Sequence, residues 1–178
     1  MSKVTVQAII IWVILAFAVC AVTFPFYLKG RLSDSAFVSL PLLAFYLGFT
    51  LTITIIERIP SAEARYQLVV FWSYKAIQAG RNELIGEVFW NYILFIPIGI
   101  LLSMLLPSKR TWIAIILGML MSSGIELTQL YLHRGLFEFD DIIHNTLGTI
   151  IGVILFLIVR KIVFLIKSKT KKFDTEKC

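Results

Sequence analysis

Four polar residues follow one another at helical spacing within one of the chain's long apolar segments. Ser122, Glu126, Gln129 and His133 occupy positions i, i+4, i+7 and i+11, which share one face of an α-helix. A carboxylate on an otherwise apolar helix can act as a general base, bind a polar ligand or join two helices by hydrogen bonds. Each of these roles requires partners from a neighbouring helix.

A second set of residues at the same spacing supplies such partners. Asp141, Asn145, Gly148 and Gly152 also share one helix face, and the last two form a G-x-x-x-G pair that permits close approach of another helix. We predict that the two glycines pack against the third or fourth membrane helix. The carboxylates and amides of the two sets would then meet above that contact.

The two sets belong to a larger group of residues, here named the polar cluster. It comprises Asn91, Ser122, Glu126, Gln129, Arg134, Glu138, Asp140, Asp141 and Asn145. An acid at membrane depth costs about 2.5–3.5 kcal/mol, so it normally faces the protein interior and has a partner. The candidate partners of Glu126 are Arg134, His133, Gln129 and Asn91. The cluster has more polar and charged residues than are needed to join helices by hydrogen bonds. We therefore predict a binding or catalytic site, with a purely structural hydrogen-bond network as the alternative.

The elements that must position this cluster are membrane helices. Hydrophobic residues make up 58% and charged residues 16% of the chain, whereas soluble domains have roughly 45–50% and 25%. The chain has five long apolar runs, which are 8–28, 36–56, 88–106, 111–132 and 142–166. Four of the five approach or exceed the roughly 20 residues that cross a bilayer. We therefore predict an all-α polytopic membrane protein with a single domain, residues 1–178. The run 88–106 is the weakest, and a re-entrant or interfacial segment is its alternative.

The connection between the second and third runs is rich in aromatic residues. Residues 66–77 of the connection 57–87 are largely apolar and are followed by Arg81. This composition is typical of a segment that lies in the membrane interface. It could cover the polar cluster or serve as an aromatic anchor without ligand contact.

Proline and glycine interrupt the third run. Pro97 has no N–H and cannot bond the carbonyl of Ile93, so the helix should bend there. The freed carbonyl could face the polar cluster, or the kink could have no role beyond shape. We assign Pro97 and Gly99 to helix packing, as we do Gly148 and Gly152.

Basic residues in short loops favour the cytoplasmic side. The tail 160–178 carries seven basic residues against two acidic ones, which predicts a cytoplasmic C-terminus and contact with anionic membrane lipid. Each membrane helix reverses the side of the membrane. Counting back from a cytoplasmic C-terminus therefore places the turn with Lys109 and Arg110 in the cytoplasm and the segment 133–141 outside the cell. The basic residues of the tail are Arg160, Lys161, Lys167, Lys169, Lys171, Lys172 and Lys177.

Acids and imidazoles could in principle bind Mg²⁺, Ca²⁺ or Mn²⁺, and the candidates are Glu138, Asp140, Asp141, His133 and His144. Such acids are more typical of a helix N-terminus, where negative charge is favoured. We therefore predict that Asp140 or Asp141 is the N-cap of the last helix, and we assign no metal and no cofactor.

No nucleic-acid motif occurs, and the sequence leaves the oligomeric state open.

Four ordered sequence blocks resemble the VanZ-like family of bacterial membrane proteins. The blocks are Asn91 with 94–99, then 122–129, then Arg134-Gly135 with Phe137, and finally 140–148 closing on Gly152. The resemblance covers about residues 67–156. The chain departs from the family at two places. The family often has Asn-Leu-Ile-Pro-Phe where this chain has Gln-Leu-Val-Val-Phe at residues 67–71. The family commonly has Asp at the position of Glu138, and the glutamate keeps the charge.

The resemblance implies a location in the bacterial cell membrane and a role in resistance to the glycopeptide teicoplanin. A non-enzymatic binding protein would hold a lipid headgroup, a lipid-linked cell-wall precursor or a glycopeptide through Arg134 and the amides of the cluster. A membrane enzyme would instead use Glu126 or Asp141 as general base on a lipid-linked intermediate. A scaffold for wall synthesis is the third alternative. We rank binding first, and the enzyme question stays open.

Overall fold

The computed structural model describes the backbone of residues 3–175 and the side chains of residues 5–168. The elements in chain order are α1 Lys3–Leu28, α2 Asp34–Leu51, a π-helix Thr52–Ile56, β1 Arg65–Gln67, α3 Trp72–Gln78, α4 Glu83–Leu105, a 3₁₀ turn Ser108–Arg110, α5 Ile113–Tyr131, β2 Leu136–Glu138 and α6 Phe139–Thr175. The predicted basic residues Lys169, Lys171, Lys172 and Lys177 lie outside the described side chains.

Five of the helices are long and apolar enough to cross a membrane, which confirms the predicted polytopic helical fold. The spans are Thr5–Leu28, Asp34–Ile56, Glu83–Leu105, Ile113–Tyr131 and Phe139–Ser168. The third span is a continuous helix of 23 residues, which favours a full crossing over the alternative of a re-entrant or interfacial third run. Its apolar stretch is short because Glu83 and Glu87 occupy its first two turns.

The centre of the fold is the packing of α6 against α4. A Cβ added to Gly152 would lie 2.2 Å from the carbonyl oxygen of Ile96, and one added to Gly148 would lie 2.5 Å from that of Tyr92. In the same way, a Cβ added to Gly99 of α4 would lie 2.3 Å from the carbonyl oxygen of Thr149. Of the two neighbours expected for the α6 glycines, the third membrane helix is therefore the one they contact. Backbone contact of this kind leaves no room for a side chain at these positions unless the two helices separate.

Apolar side chains complete the core below this contact. Phe95 and Ile98 of α4 are fully buried and cluster with other buried side chains of α2, α4, α5 and α6. Helix α4 continues through Pro97, and close to the proline the hydroxyl of Tyr46 donates to the carbonyl of Leu94 at 3.1 Å. This bond attaches α2 to α4 next to the proline.

Two short elements at one end of the bundle were not predicted. Strands β1 and β2 pair in parallel over three residues each, with Gln67 opposite Glu138. At the end of α2 the backbone widens into the π-helix, where the hydroxyls of Thr52 and Thr54 bond carbonyls four residues earlier. Both elements lie at the end of the bundle that holds the polar cluster. They join the connection 57–71 to the segment between α5 and α6.

Candidate functional site

An open groove of about 470 Å³ lies where the first turns of α4 face the start of α6. Asn91 and Asp141 form part of its wall, and the Asn91 amide donates to the Asp141 carboxylate at 2.6 Å. This short, charge-assisted bond fixes the carboxylate beside the groove. The full lining is Arg58, Glu83, Gly86, Glu87, Trp90, Asn91, Glu138 and Asp141.

Three of the charged residues of this groove were not predicted as site residues. Arg58 follows the π-helix, and Glu83 and Glu87 begin α4. In the sequence these three residues belong to the connection 57–87, where acidic and basic residues alternate without a helical period. The lining thus holds four carboxylates and one guanidinium, so the groove is acidic.

Glu126 lies behind the groove with only 2% of its surface exposed. Its carboxylate accepts the backbone N–H of Glu138 at 3.0 Å. The expected partners were Arg134, His133, Gln129 and Asn91, and among the described contacts none of them bonds Glu126. The reason is that β2 returns across the end of α5 and brings its own N–H to the buried acid.

Arg134 has a different partner, the end of the π-helix. Its Nη1 donates to the carbonyl of Ile56 at 2.8 Å and also reaches those of Ile55 and Arg58 at 3.4 Å. Gln129 donates to the carbonyl of Thr54 at 2.9 Å. These carbonyls lack regular helical partners at a helix end, which is why two side-chain donors converge on them. Arg134 therefore bonds backbone carbonyls of the π-helix region rather than Glu126, and its binding of a ligand stays a prediction.

His133 does not continue the polar face of α5. The helix ends at Tyr131, and His133 has a left-handed backbone with φ of 54°. The predicted spacing therefore holds for Ser122, Glu126 and Gln129, which are all buried, and fails at His133. Its carbonyl accepts the N–H of Ser61 at 2.8 Å.

Asp140 is fully buried and organises α3. Its carboxylate accepts the N–H of Phe71 at 2.5 Å, the N–H of Ser73 at 2.9 Å and the hydroxyl of Ser73 at 2.6 Å. The prediction that Asp140 or Asp141 caps its own helix was wrong, because α6 already begins at Phe139. Asp140 instead satisfies the free N–H groups at the start of α3.

Replacing Asp140 by asparagine should release α3. The amide can accept fewer of the three bonds, and each bond to a charged group contributes about 1.5–3 kcal/mol. We expect amide hydrogen exchange across residues 71–78 to increase by at least about tenfold while exchange within α4 is unchanged. Asp34→Asn, a change of the same type at the other end of the bundle, should leave residues 71–78 protected. Unchanged protection in Asp140→Asn would contradict this role.

Helix α3 lies over the start of α6 through aromatic contacts. Tyr74 and Tyr92 share a hydroxyl hydrogen bond of 3.0 Å, and both rings lie 5.4 Å from the ring of His144. His144 is 1% exposed, and among the described residues neither ring nitrogen has a hydrogen-bond partner. The imidazole is thus held in an aromatic enclosure behind Asp140.

Glu138 links α3 to the groove. Its carboxylate accepts the indole N–H of Trp72 at 2.9 Å, and its other surface lines the groove. Burial raises the pKa of Glu138 to about 7; the negative charge of Asp141 acts in the same direction, and the bond from Trp72 opposes it. A carboxyl group with such a pKa can exchange a proton near neutral pH.

Asn145 and Ser122 connect α6 to α5 on the inner side of the cluster, where the Asn145 amide donates to the Ser122 hydroxyl at 2.9 Å. The side-chain amide oxygens of Asn145 and Gln129 are buried and have no hydrogen-bond partner among the described residues. Across residues 5–168, no group of three or more His, Cys, Asp or Glu side chains has an arrangement that could hold a metal ion.

Together, the five apolar helices and the acidic groove at one end of the bundle define a multi-pass membrane protein with a polar groove at one end of its helices. The family described as VanZ/LLP1 matches residues 8–160, and the chain belongs to this family. The match includes the two N-terminal membrane helices, beyond the blocks 67–156 that carry the sequence resemblance. No curated protein and no solved structure matches the sequence.

Proposed function

We propose that the protein binds the polar headgroup of an amphiphilic molecule in the acidic groove. The observation that carries this proposal is the groove itself, in which the charged side chains of Arg58, Glu138 and Asp141 line a space beside the exposed apolar face of α4. Trp90 and Phe89 on that face are 65% and 55% exposed. A headgroup could occupy the groove while the apolar part of the same molecule lies along these aromatic residues.

The charge of the groove favours particular ligands. Four carboxylates favour a ligand with an amine or several hydroxyl and amide donors, while Arg58 offers a partner for a carboxylate or a phosphate. Lipid-linked cell-wall precursors and lipophilic glycopeptides carry groups of both kinds. A role in teicoplanin resistance, implied by the VanZ-like resemblance, would follow from binding either molecule.

The groove is proposed to face the outside of the bacterial cell. The end of the bundle that holds the groove carries most of the acids, whereas the other end carries Lys29, Arg31, Lys109, Arg110 and Arg160 against Asp34. This asymmetry agrees with a cytoplasmic basic end.

Cysteine labelling tests this orientation. In a chain with Cys20 and Cys178 replaced by serine, we expect Ile59→Cys to react with a membrane-impermeant maleimide on intact cells. Lys109→Cys should react only after the membrane is opened. Both residues are exposed, and Ile59 is 87% exposed, so lack of reaction cannot be attributed to burial. The opposite pattern would place the groove inside and overturn the proposed access to wall precursors.

An enzymatic function is the second candidate, and one observation favours it. Glu138, whose pKa is raised to about 7, and Asp141 both line the groove, and such a pair can supply a general acid and a general base. The substrate would be a lipid-linked cell-wall intermediate. Turnover of such a substrate would distinguish this function from binding alone.

Replacing Arg58 tests the proposed binding function in cells. Arg58→Gln removes the single cation of the groove, so we expect teicoplanin protection in a susceptible host to be lost while membrane abundance stays within about twofold of the wild type. A hydrogen bond to a charged group is worth about 1.5–3 kcal/mol, or about tenfold or more in affinity.

Arg65→Gln provides the matched control for this test. Arg65 is also exposed and lies at the same end of the chain's fold, in β1, but outside the groove. Its replacement should leave protection unchanged. Equal protection by wild type and Arg58→Gln would contradict a role for the groove, whereas equal loss in both variants would indicate a general charge effect.

A further inference from the structure

A second pocket lies at the opposite end of the bundle, where α6 passes the turn between α4 and α5. It has a volume of about 580 Å³ and is lined by Ser108, Leu157, Arg160, Lys161 and Phe164. Two cations and one hydroxyl thus share a surface with two apolar side chains. This combination is typical of sites that receive a charged headgroup together with hydrocarbon.

The guanidinium of Arg160 is held in place. Its Nη1 donates to the hydroxyl oxygen of Ser108 at 2.8 Å, and its Cζ lies 5.6 Å from the ring centroid of Phe156. The ring and the hydroxyl limit the directions that the side chain can take. The Ser108 hydroxyl accepts from Arg160 and still has its own hydrogen to donate to a third group.

The charged residues that line this pocket are both basic. None of its lining residues is acidic, and the sequence has no Asp or Glu in 88–125 or 142–168. Lys109 and Arg110 follow Ser108 in the same turn. Two adjacent cations repel each other, and an anion bound between them would relieve that repulsion.

The position of the pocket along the helices indicates which class of anion would bind there. Helix α4 ends at Leu105 and α5 begins at Ile113, so the turn that carries Ser108 lies between the ends of two candidate membrane spans. Leu157 and Phe164 are 37% and 69% exposed and flank the cations along α6. An anion bound here would have exposed apolar side chains beside it, which suits a phospholipid headgroup with its acyl chains.

We propose that this pocket is a specific binding site for an anionic phospholipid. Arg160 and Lys161 contact the phosphate, the Ser108 hydroxyl donates to a phosphate oxygen, and an acyl chain lies against Leu157. The site is independent of the acidic groove. It also differs from the diffuse attraction that the basic tail would give, because it depends on the geometry of three side chains.

Native mass spectrometry of the full chain in detergent, titrated with phosphatidylglycerol, tests the site. We expect Arg160→Gln to weaken retention of the lipid by about tenfold or more, and Ser108→Ala by about twofold to tenfold, from the usual contributions of charged and neutral hydrogen bonds. Lys167→Gln makes the same charge change on the same helix outside the pocket and should alter retention by less than about twofold. Water-soluble glycerol 3-phosphate should not displace the lipid.

Each alternative result contradicts the proposal. Equal weakening by Arg160→Gln and Lys167→Gln, with no effect of Ser108→Ala, would show a diffuse field. Displacement by glycerol 3-phosphate would indicate a site for a soluble phosphate. The substituted residues are exposed or lie in the exposed turn, and thermal unfolding measured in parallel should be unchanged in all three variants.

Discussion

Replacing Asp141 by asparagine should weaken ligand binding strongly while the protein remains folded and abundant in the membrane. The carboxylate of Asp141 lines the acidic groove and accepts the Asn91 amide at 2.6 Å. An asparagine at position 141 can still accept that bond through its carbonyl oxygen, so the contact between α4 and α6 is kept. Only the charge in the groove is lost. We expect affinity to fall by about tenfold to a hundredfold, the contribution of a hydrogen bond to a charged group.

Two further variants separate charge from structure at this site. The exchange Asn91→Asp with Asp141→Asn keeps the pair and moves the charge to the other side of the same groove, and should recover part of the binding. Glu63→Gln removes an exposed acid outside the groove and should have no effect. Loss of abundance in Asp141→Asn would instead assign the residue to the folding of the helix pair.

Replacing Gly152 by alanine should have the largest effect on folding. Its Cβ would lie 2.2 Å from the Ile96 carbonyl oxygen and 3.0 Å from the Cα of Gly99. Both neighbours are backbone atoms, so α4 and α6 must separate. Overpacking typically costs about 1–3 kcal/mol, and we expect the upper part of this range, measured as a lower free energy of unfolding and reduced membrane abundance.

Gly124→Ala is the matched control for this substitution. Gly124 also lies within a membrane helix, α5, and a Cβ added there meets no atom within 4 Å. Substitution at such a position should be neutral or stabilise by about 0.4–1 kcal/mol. Equal destabilisation by both variants would contradict the close contact of α4 and α6.

The helical framework was predictable because helices have a local period. Apolar runs of membrane length predicted the five spans, and the spacing of Gly148 and Gly152 indicated a close helix contact. The same period grouped Ser122, Glu126 and Gln129 on one buried face. These features depend on residues within a few turns of one another, so the sequence pattern expresses them directly.

The contacts made by the connection between the second and third spans could not be predicted in this way. Asp140 bonds Phe71 and Ser73 from almost 70 positions away, and Arg134 reaches carbonyls of the π-helix from a similar separation. No local pattern reveals a parallel strand pair of three residues or a π-helix. The role of Arg58 was missed for the same reason. Its loop comes to the groove only after β1 pairs with β2.

The central claim is that the acidic groove holds a ligand, and the most direct test is to identify what copurifies with the protein. Wild type, Asp141→Asn and Glu63→Gln should be purified in mild detergent from the same bacterial host, and their bound small molecules compared by mass spectrometry. We predict that one amphiphile with an amine or multiple hydroxyl groups accompanies the wild type and Glu63→Gln and is lost from Asp141→Asn. The same set of molecules in equal amounts from all three proteins would contradict a binding site at this groove.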